Sequence, residues 1–259
     1  MHIKDRRRAF TLIELLVVIG IFGILSAIAV PAVRQAILTS SLATSASNVR
    51  QLAAGAAAYL SANKQMFWPY TKNIDDGYRK GTDWWFGFEP LQSRGKPEGE
   101  RWFEPESGPL GGYVPAGIQP DPSFGFTGNA FKPKYRSGHI GVGYNVLLGG
   151  GWLGRGELTR VTQLENPSRT VVFATSAQVN TFQSPASSKN PMIEEFYGFD
   201  NSSRNKTVHF RNRGEAIVAF ADSSVGYLTM EPGSQDMRDP DANVGRLPER
   251  YVDPYFSKD

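Results

Sequence analysis

Residues 6–31 read RRRAFTLIELLVVIGIFGILSAIAVP. From Phe10 to Val33 the chain runs for 24 residues in which Glu14 is the only charged residue. This run is longer than the apolar part of a secretory signal peptide, about 7 to 15 residues, and no AxA cleavage site follows it. A helix of this length crosses a hydrocarbon core about 30 Å thick. The sequence therefore predicts a membrane-spanning helix over residues 10–33.

The net charge of +3 comes from the residues before this helix. Residues 1–9 hold four basic residues and one acidic residue, so residues 10–259 hold 28 − 4 basic and 25 − 1 acidic residues, 24 of each. A neutral body lacks the electrostatic signature of a nucleic-acid-binding protein, and we predict no nucleic acid partner. Basic residues beside a membrane helix stay in the cytoplasm. The residues after Val33 are therefore expected across the membrane.

Composition excludes several classes of site. Of the 259 residues 40% are hydrophobic, which is enough for a folded core, and none is cysteine. The absence of cysteine removes disulfides, thiolate metal sites and a cysteine nucleophile. The three histidines, His2, His139 and His209, are far apart in sequence, so they form no HExxH-type zinc motif. We expect no enzymatic activity, no cofactor and no functional metal site.

Glu14 is the unusual residue of the apolar run. A carboxylate in a membrane helix is costly unless it has a partner, so it marks a functional position. A short basic leader, then Phe10, then Glu14 four positions later and Pro31 about twenty residues into the run resemble the N-terminus of type IV prepilins and type II secretion pseudopilins. The resemblance covers about the first tenth of the chain, and it depends on all of these features occurring together.

The resemblance implies how the chain is processed and where it resides. It implies that a prepilin peptidase cuts between Ala9 and Phe10 on the cytoplasmic side and methylates the new amine. Ala9 departs from the pattern, which usually has glycine before the cut. Glu14 and Pro31 are implied in assembly with other pilin or pseudopilin subunits. The expected location is the bacterial inner membrane, crossed once, with the C-terminal domain in the periplasm or in an extracellular filament.

Residues 32–64 continue the helix. They contain no proline, and small or apolar residues recur at three- and four-residue steps, namely Ala43, Ala46, Val49, Ala53, Ala56 and Leu60. We predict a helix over residues 10–64, kinked near Pro31 because proline lacks the backbone N–H of the helical ladder. We expect the C-terminal half of the alanine stripe to pack on the protein's own sheet, although small residues also suit contacts between membrane helices.

The remaining chain, residues 65–259, is predicted to form the extracytoplasmic domain. Residues 65–135 are rich in proline and aromatic residues, which favours a long loop region with short strands. The segment DWWFGF at residues 83–88 holds Trp84 and Trp85, which we expect to cover a small core. The alternative is a stacking platform for a sugar.

Strand signals follow over residues 139–230. They occur at 139–148, 169–176, 206–210, 215–221 and 224–230, and the last two flank Asp222 and Ser223 as a hairpin. This half also resembles the C-terminal region of a group of prepilin-like proteins in its GYN, NPSRTVVFA and FADS stretches. Ser223 stands where that group usually has glycine, which leaves the turn geometry open. The predicted fold is α+β and pilin-like, a long helix on a small antiparallel sheet.

Three further patterns are weak. GGGWLG at residues 149–154 matches GxGxxG but has no βαβ frame, so we interpret it as a glycine loop. His209 and Asp222 are expected on neighbouring strands, as a histidine satisfied by a carboxylate rather than as a catalytic pair. Asp236, Asp239 and Asp241 offer oxygen ligands without EF-hand spacing, so calcium stays an open question.

The sequence thus supports a structural subunit processed and assembled through its N-terminal helix, in a type IV pilus or a type II secretion pseudopilus. It does not separate the two. The alternative function is a membrane-anchored binding module that captures a glycan or another surface ligand with its aromatic loop. Assembly would depend on Glu14 and on cleavage, whereas ligand capture would depend on Trp84 and Trp85.

Overall fold

The computed structural model describes residues 11–114, 117–126, 130–136 and 140–256. The chain divides into two units, Met1–Ser40 and Ser41–Asp259. Helix α1 (Leu12–Ala62) begins in the first and ends in the second, which confirms the predicted long N-terminal helix. The second unit holds the β-sheets and two short helices, α2 (Leu91–Arg94) and α3 (Glu249–Val252).

The strands of the second unit are short. In chain order they are β1 (Thr71–Asp75), β2 (Lys80–Trp84), β3 (Gly87–Pro90), β4 (Phe131–Lys132), β5 (Val142–Asn145), β6 (Val171–Thr175), β7 (Gln178–Asn180), β8 (Met192–Glu194), β9 (Gly198–Phe199), β10 (Val208–His209), β11 (Glu215–Phe220), β12 (Val225–Thr229) and β13 (Val244–Gly245). Single 3-10 turns lie at Pro105–Ser107, Pro122–Phe126, Val161–Gln163 and Pro240–Ala242.

The central sheet has five strands in the order β12-β11-β6-β5-β9. Neighbouring strands of this sheet are antiparallel, except that β5 and β9 are parallel. In a separate sheet, of order β4-β8-β7, β4 and β8 are also parallel. The central sheet and the sheet that holds β4 and β8 are therefore mixed, whereas the sequence predicted a small antiparallel sheet. A parallel pair needs a long connection. The chain between β5 and β9 provides one, because it includes the hairpin of β7 and β8.

The core of the second unit forms between the end of α1 and the central sheet. Of the predicted stripe, Ala46, Val49, Ala53, Ala56 and Leu60 are buried, and Ala43 is exposed. Trp68 lies in the same core, with its ring 5.0 Å from that of Tyr144 and 5.9 Å from that of Phe173. The expectation that the stripe packs on the protein's own sheet is confirmed from Ala46 onward.

The proline-rich region is more regular than a loop. The antiparallel sheet β1-β2-β3 occupies Thr71–Pro90, so the short strands expected there are present. Proline is tolerated because Pro90 ends β3 and Pro105 begins a 3-10 turn, where a missing N–H costs no ladder bond.

The hairpin of β11 and β12 forms where the sequence predicted it, with Ala219 opposite Val225. Ser223 in its turn has φ of 71°, the left-handed region that favours glycine. The turn therefore keeps a conformation typical of glycine with a serine in it. Asp222 Oδ1 accepts hydrogen bonds from the backbone N–H and hydroxyl of Ser224, at 2.9 and 2.6 Å, which hold this turn.

Candidate functional site

Helix α1 begins with a reciprocal hydrogen-bonded cap. Thr11 donates to Glu14 Oε2 from its backbone N–H at 2.9 Å and from its hydroxyl at 2.7 Å, and Glu14 N–H donates back to Thr11 Oγ1 at 3.3 Å. This is the capping-box arrangement of a threonine before the helix and a glutamate three residues later. Sequence reasoning missed Thr11, although the T-x-x-E spacing in TLIE was the available signal.

The surface that follows Glu14 is apolar and uncovered. Every residue from Thr11 to Ser40 is exposed, and after Glu14 the next charged residue is Arg34. The helix is long and apolar enough to cross a membrane, judged by length and composition. A contiguous apolar surface of this size marks a contact with lipid or protein.

Of the four residues predicted for processing and assembly, the structure describes Glu14 and Pro31. Glu14 is in the first turn of α1, and the helix runs through Pro31 without interruption. Ala9 and Phe10 lie outside the described residues. Their role in cleavage and methylation stays a prediction, as does the role of Glu14 and Pro31 in assembly.

Trp84 and Trp85, the residues of the alternative function, have different environments. Trp85 is completely buried and its Nε1 donates to the Tyr197 carbonyl at 2.6 Å. Trp84 is half-buried and its Nε1 donates to Glu89 Oε2 at 3.0 Å. The expectation that these aromatics cover a core is thus correct for Trp85, which is not accessible to a sugar.

The predicted partner of His209 is wrong. Asp222 lies in the exposed hairpin turn, whereas His209 Nδ1 is 3.1 Å from a guanidinium nitrogen of Arg211. Burial and the Arg211 charge lower the pKa of His209 well below its usual range, against a hydrogen bond with the Ala242 backbone. Arg211 also binds Asp121, and Ser45 of α1 donates to the same carboxylate. Sequence reasoning missed this cluster because Asp121 and Ser45 are far in the chain from Arg211 and from each other.

The C-terminal aspartates do not converge. The carboxylate of Asp236 is bonded to Arg238, with Nη2 2.6 Å from Oδ2 and Nε 3.0 Å from Oδ1. Asp241 is exposed and Asp239 is half-buried. Within the residues that the structure describes, no three His, Cys, Asp or Glu side chains group as a metal site.

Comparison with known proteins assigns the N-terminal segment. Residues 4–30 match the prokaryotic N-terminal methylation motif, which is typical of type IV pilins and pseudopilins. Neither a curated protein nor a solved structure matches the chain. The motif and the long apolar helix together indicate a type IV pilin-like or pseudopilin precursor, a structural class of protein anchored in the membrane. The motif implies processing by a prepilin peptidase and assembly with other pilin subunits.

Proposed function

We propose that this chain is a filament subunit that a prepilin peptidase cuts between Ala9 and Phe10 and that then assembles through residues 10–40. The filament is a type IV pilus or a type II secretion pseudopilus. One observation carries the proposal: sixteen large apolar side chains between Leu12 and Leu38 are exposed on a helix whose start holds a single carboxylate. Lipid covers such a surface before assembly, and neighbouring helices cover it afterwards.

The proposed topology follows from the charges that precede the helix. The leader at residues 1–9 carries four basic residues and one acidic residue, which retains the N-terminus in the cytoplasm. Residues 65–259 then form the extracytoplasmic domain of an inner-membrane protein. Protease added to spheroplasts is expected to digest that domain, and its protection in sealed spheroplasts would contradict this orientation.

Glu14 is proposed to pair with the amine of the neighbouring subunit. Cleavage leaves a cationic amine on Phe10, one residue before the cap formed by Thr11 and Glu14. The bonds from Thr11 both end on Oε2 of the carboxylate, and among the residues that the structure describes none donates to Oε1, which can therefore take a second donor. Opposite charges attract strongly in a medium of low dielectric constant, whereas either charge alone is costly to bury. The pairing would fix the axial register of the filament.

The test is incorporation of Glu14→Gln and Glu14→Val into filaments. Both variants are expected to insert into the membrane and to fold, while their share in sheared filaments falls. Membrane insertion of Glu14→Val should even improve. The free-energy cost of inserting a charged side chain is about 2.5 to 3.5 kcal/mol at the centre of the bilayer and less near the interface.

Thr11→Ala is the matched control. It breaks the same cap, worth about 1 kcal/mol, but keeps the carboxylate, so we expect near-normal incorporation. Normal assembly of Glu14→Val would contradict the pairing. Equal losses in Thr11→Ala and Glu14→Gln would show that Glu14 acts only as a helix cap.

A further inference from the structure

A cleft in the Ser41–Asp259 unit lies outside the segment used for assembly. It forms between the sheet β1-β2-β3 and the glycine loop at residues 149–154, and its volume is about 450 Å³. Sites for small ligands commonly measure about 300 to 1,000 Å³. The cleft therefore has the size of a site for one small ligand or for a short part of a polymer.

Two tryptophans line this cleft in fixed orientations. Trp84 ends β2 and Trp152 belongs to the glycine loop, and the rings of both meet the Tyr70 ring edge-on, at 5.9 and 5.4 Å. The indole nitrogen of Trp84 donates to Glu89, and that of Trp152 donates to Asp200 Oδ2 at 2.6 Å. Both rings are half-buried. These bonds hold the rings in place before a ligand arrives, which lowers the entropy cost of binding.

The glycine loop places Trp152 beside the sheet β1-β2-β3. Gly154 has φ of 58°, and a Cβ at this position would overlap the carbonyl oxygen of Thr71 in β1. Gly150 and Gly151 also have positive φ, at 73° and 77°. Glycine is thus required at Gly154 both for conformation and for the close approach to β1. This explains the GGGWLG pattern without a nucleotide.

Polar groups are arranged along the other side of the cleft. Arg94 Nη1 donates to Thr82 Oγ1 at 2.9 Å, and the Thr82 hydroxyl donates to Asn73 Oδ1 at 3.2 Å. These two hydrogen bonds fix the Arg94 guanidinium and leave the Asn73 amide N–H groups as donors. Both Arg94 and Asn73 are exposed. Hydroxyl and carboxylate oxygens of a ligand would find donors here.

The charged side chains that line the cleft are all basic. Its lining contains Lys72, Arg94 and Arg155 and no carboxylate. Within the described part of the chain, Arg94 and Arg155 form no ion pair, although Asp83 lies across the strands from Lys72 and is bonded to Arg79 at 2.9 Å. Two arginines without acidic partners beside two tryptophans favour a ligand that is both anionic and able to stack.

We infer that the cleft between Trp84 and Trp152 binds an acidic saccharide, a sugar polymer or terminus that carries carboxylate groups. The tryptophan rings would stack on the apolar faces of the sugar, Arg94 and Arg155 would bind its carboxylates, and Asn73 would donate to a hydroxyl. This activity is independent of filament assembly, because none of these residues lies in residues 10–40.

A saccharide fits the observations better than a nucleic acid. A single-stranded nucleic acid needs a basic groove that follows its backbone over several nucleotides. The chain after the leader is formally neutral, with 24 residues of each sign, and the basic residues of the cleft are confined to one cavity. Short carboxylated sugars need only such a local site.

The test is a titration of the full chain in detergent micelles with tetragalacturonate, followed by calorimetry and tryptophan fluorescence. The expected result is binding that weakens at high salt, as for exposed charges, and that weakens about tenfold when the sugar is fully methyl-esterified. Arg155→Gln and Arg94→Gln should each weaken binding by a similar factor. Arg50→Gln, at an exposed position of α1, is the control and should bind like the wild type.

Three results would overturn the proposal. These are no binding of tetragalacturonate, binding that Arg94→Gln and Arg155→Gln leave unchanged, and stronger binding of an oligothymidylate of similar charge. Trp152→Leu is the second measurement: it should weaken binding and reduce the fluorescence change, to which Trp84 also contributes, and circular dichroism would verify its fold. Filament assembly of the cleft variants is expected to be normal, so failure here does not bear on the filament subunit.

Discussion

The two halves of helix α1 show opposite relations between sequence and surroundings. Residues 12–40 are rich in leucine, isoleucine and valine and are all exposed, whereas residues 41–62 are rich in alanine and serine and include nine buried residues. In a soluble protein the more apolar half would be the buried one. The domain thus uses only the second half of α1 for its core. We propose that lipid or neighbouring helices cover the first half.

The largest expected effect compares a leucine from each half. Leu52 is 2% exposed and Leu25 is 58% exposed. Leu52→Ala should lower the free energy of unfolding of the domain by about 2 to 5 kcal/mol, because it removes buried methyl groups and leaves a cavity. Leu25→Ala should change it by less than about 0.5 kcal/mol. Guanidinium unfolding in detergent micelles, followed by tryptophan fluorescence, measures both, and equal losses would contradict the comparison.

A smaller effect is expected for a pair of glycines. A Cβ at Gly55 would overlap Val114 and lie 3.1 Å from the Tyr113 carbonyl oxygen, whereas one at Gly20 would meet nothing within 4 Å. Gly55→Val should therefore destabilise the domain by about 1 to 3 kcal/mol through overpacking. Gly20→Val should leave thermal unfolding unchanged. A tolerated Gly55→Val would mean that the close approach of α1 to this loop is not required.

The smallest expected effect is a pH dependence confined to the second unit. The unfolded chain protonates His209 below about pH 6.5, but the folded pKa is lowered by burial and by Arg211, so the folded histidine stays neutral. The unfolded state then binds more protons, and the free energy of unfolding falls as pH decreases below 6.5, by at most about 1.4 kcal/mol per pH unit.

Unfolding of the wild type and of His209→Gln between pH 7 and pH 5 checks this expectation. The variant lacks the titrating group, so its unfolding free energy should depend less on pH. Since Asp121 links Arg211 to Ser45, the domain end of α1 should loosen together with this cluster. Identical pH dependence in both proteins would contradict the assigned environment of His209.

Local patterns in the sequence predict the helix and the hairpin. The apolar run and the absence of proline from residues 32–64 predict α1, and the strand signals around Asp222 and Ser223 predict β11 and β12. Both elements depend on residues close in the chain. The parallel pairing of β5 and β9 could not be predicted from local patterns, because the two strands are joined by a long connection whose course depends on tertiary packing.

The sites show the same division. Glu14 follows from one charge in an apolar run, and its cap with Thr11 follows from their spacing. The cluster around His209 does not: Arg211 is two positions from His209, but Asp121, which binds Arg211, is 90 positions from it. Adjacent tryptophans also could not be separated by composition: β2 ends at Trp84, and the chain turns so that Trp85 alone enters the core.

If the exposed half of α1 belongs to a processed filament subunit, the mature chain begins at the residue after the cleavage site. Mass spectrometry of the chain extracted from membranes and sheared filaments would be compared with a peptidase-deficient strain, with Ala9→Gly as a variant expected to be cut at least as well. We expect an N-terminal Phe10 that carries one methyl group, with Met1 retained only in the deficient strain. An intact Met1 in peptidase-competent cells would contradict it.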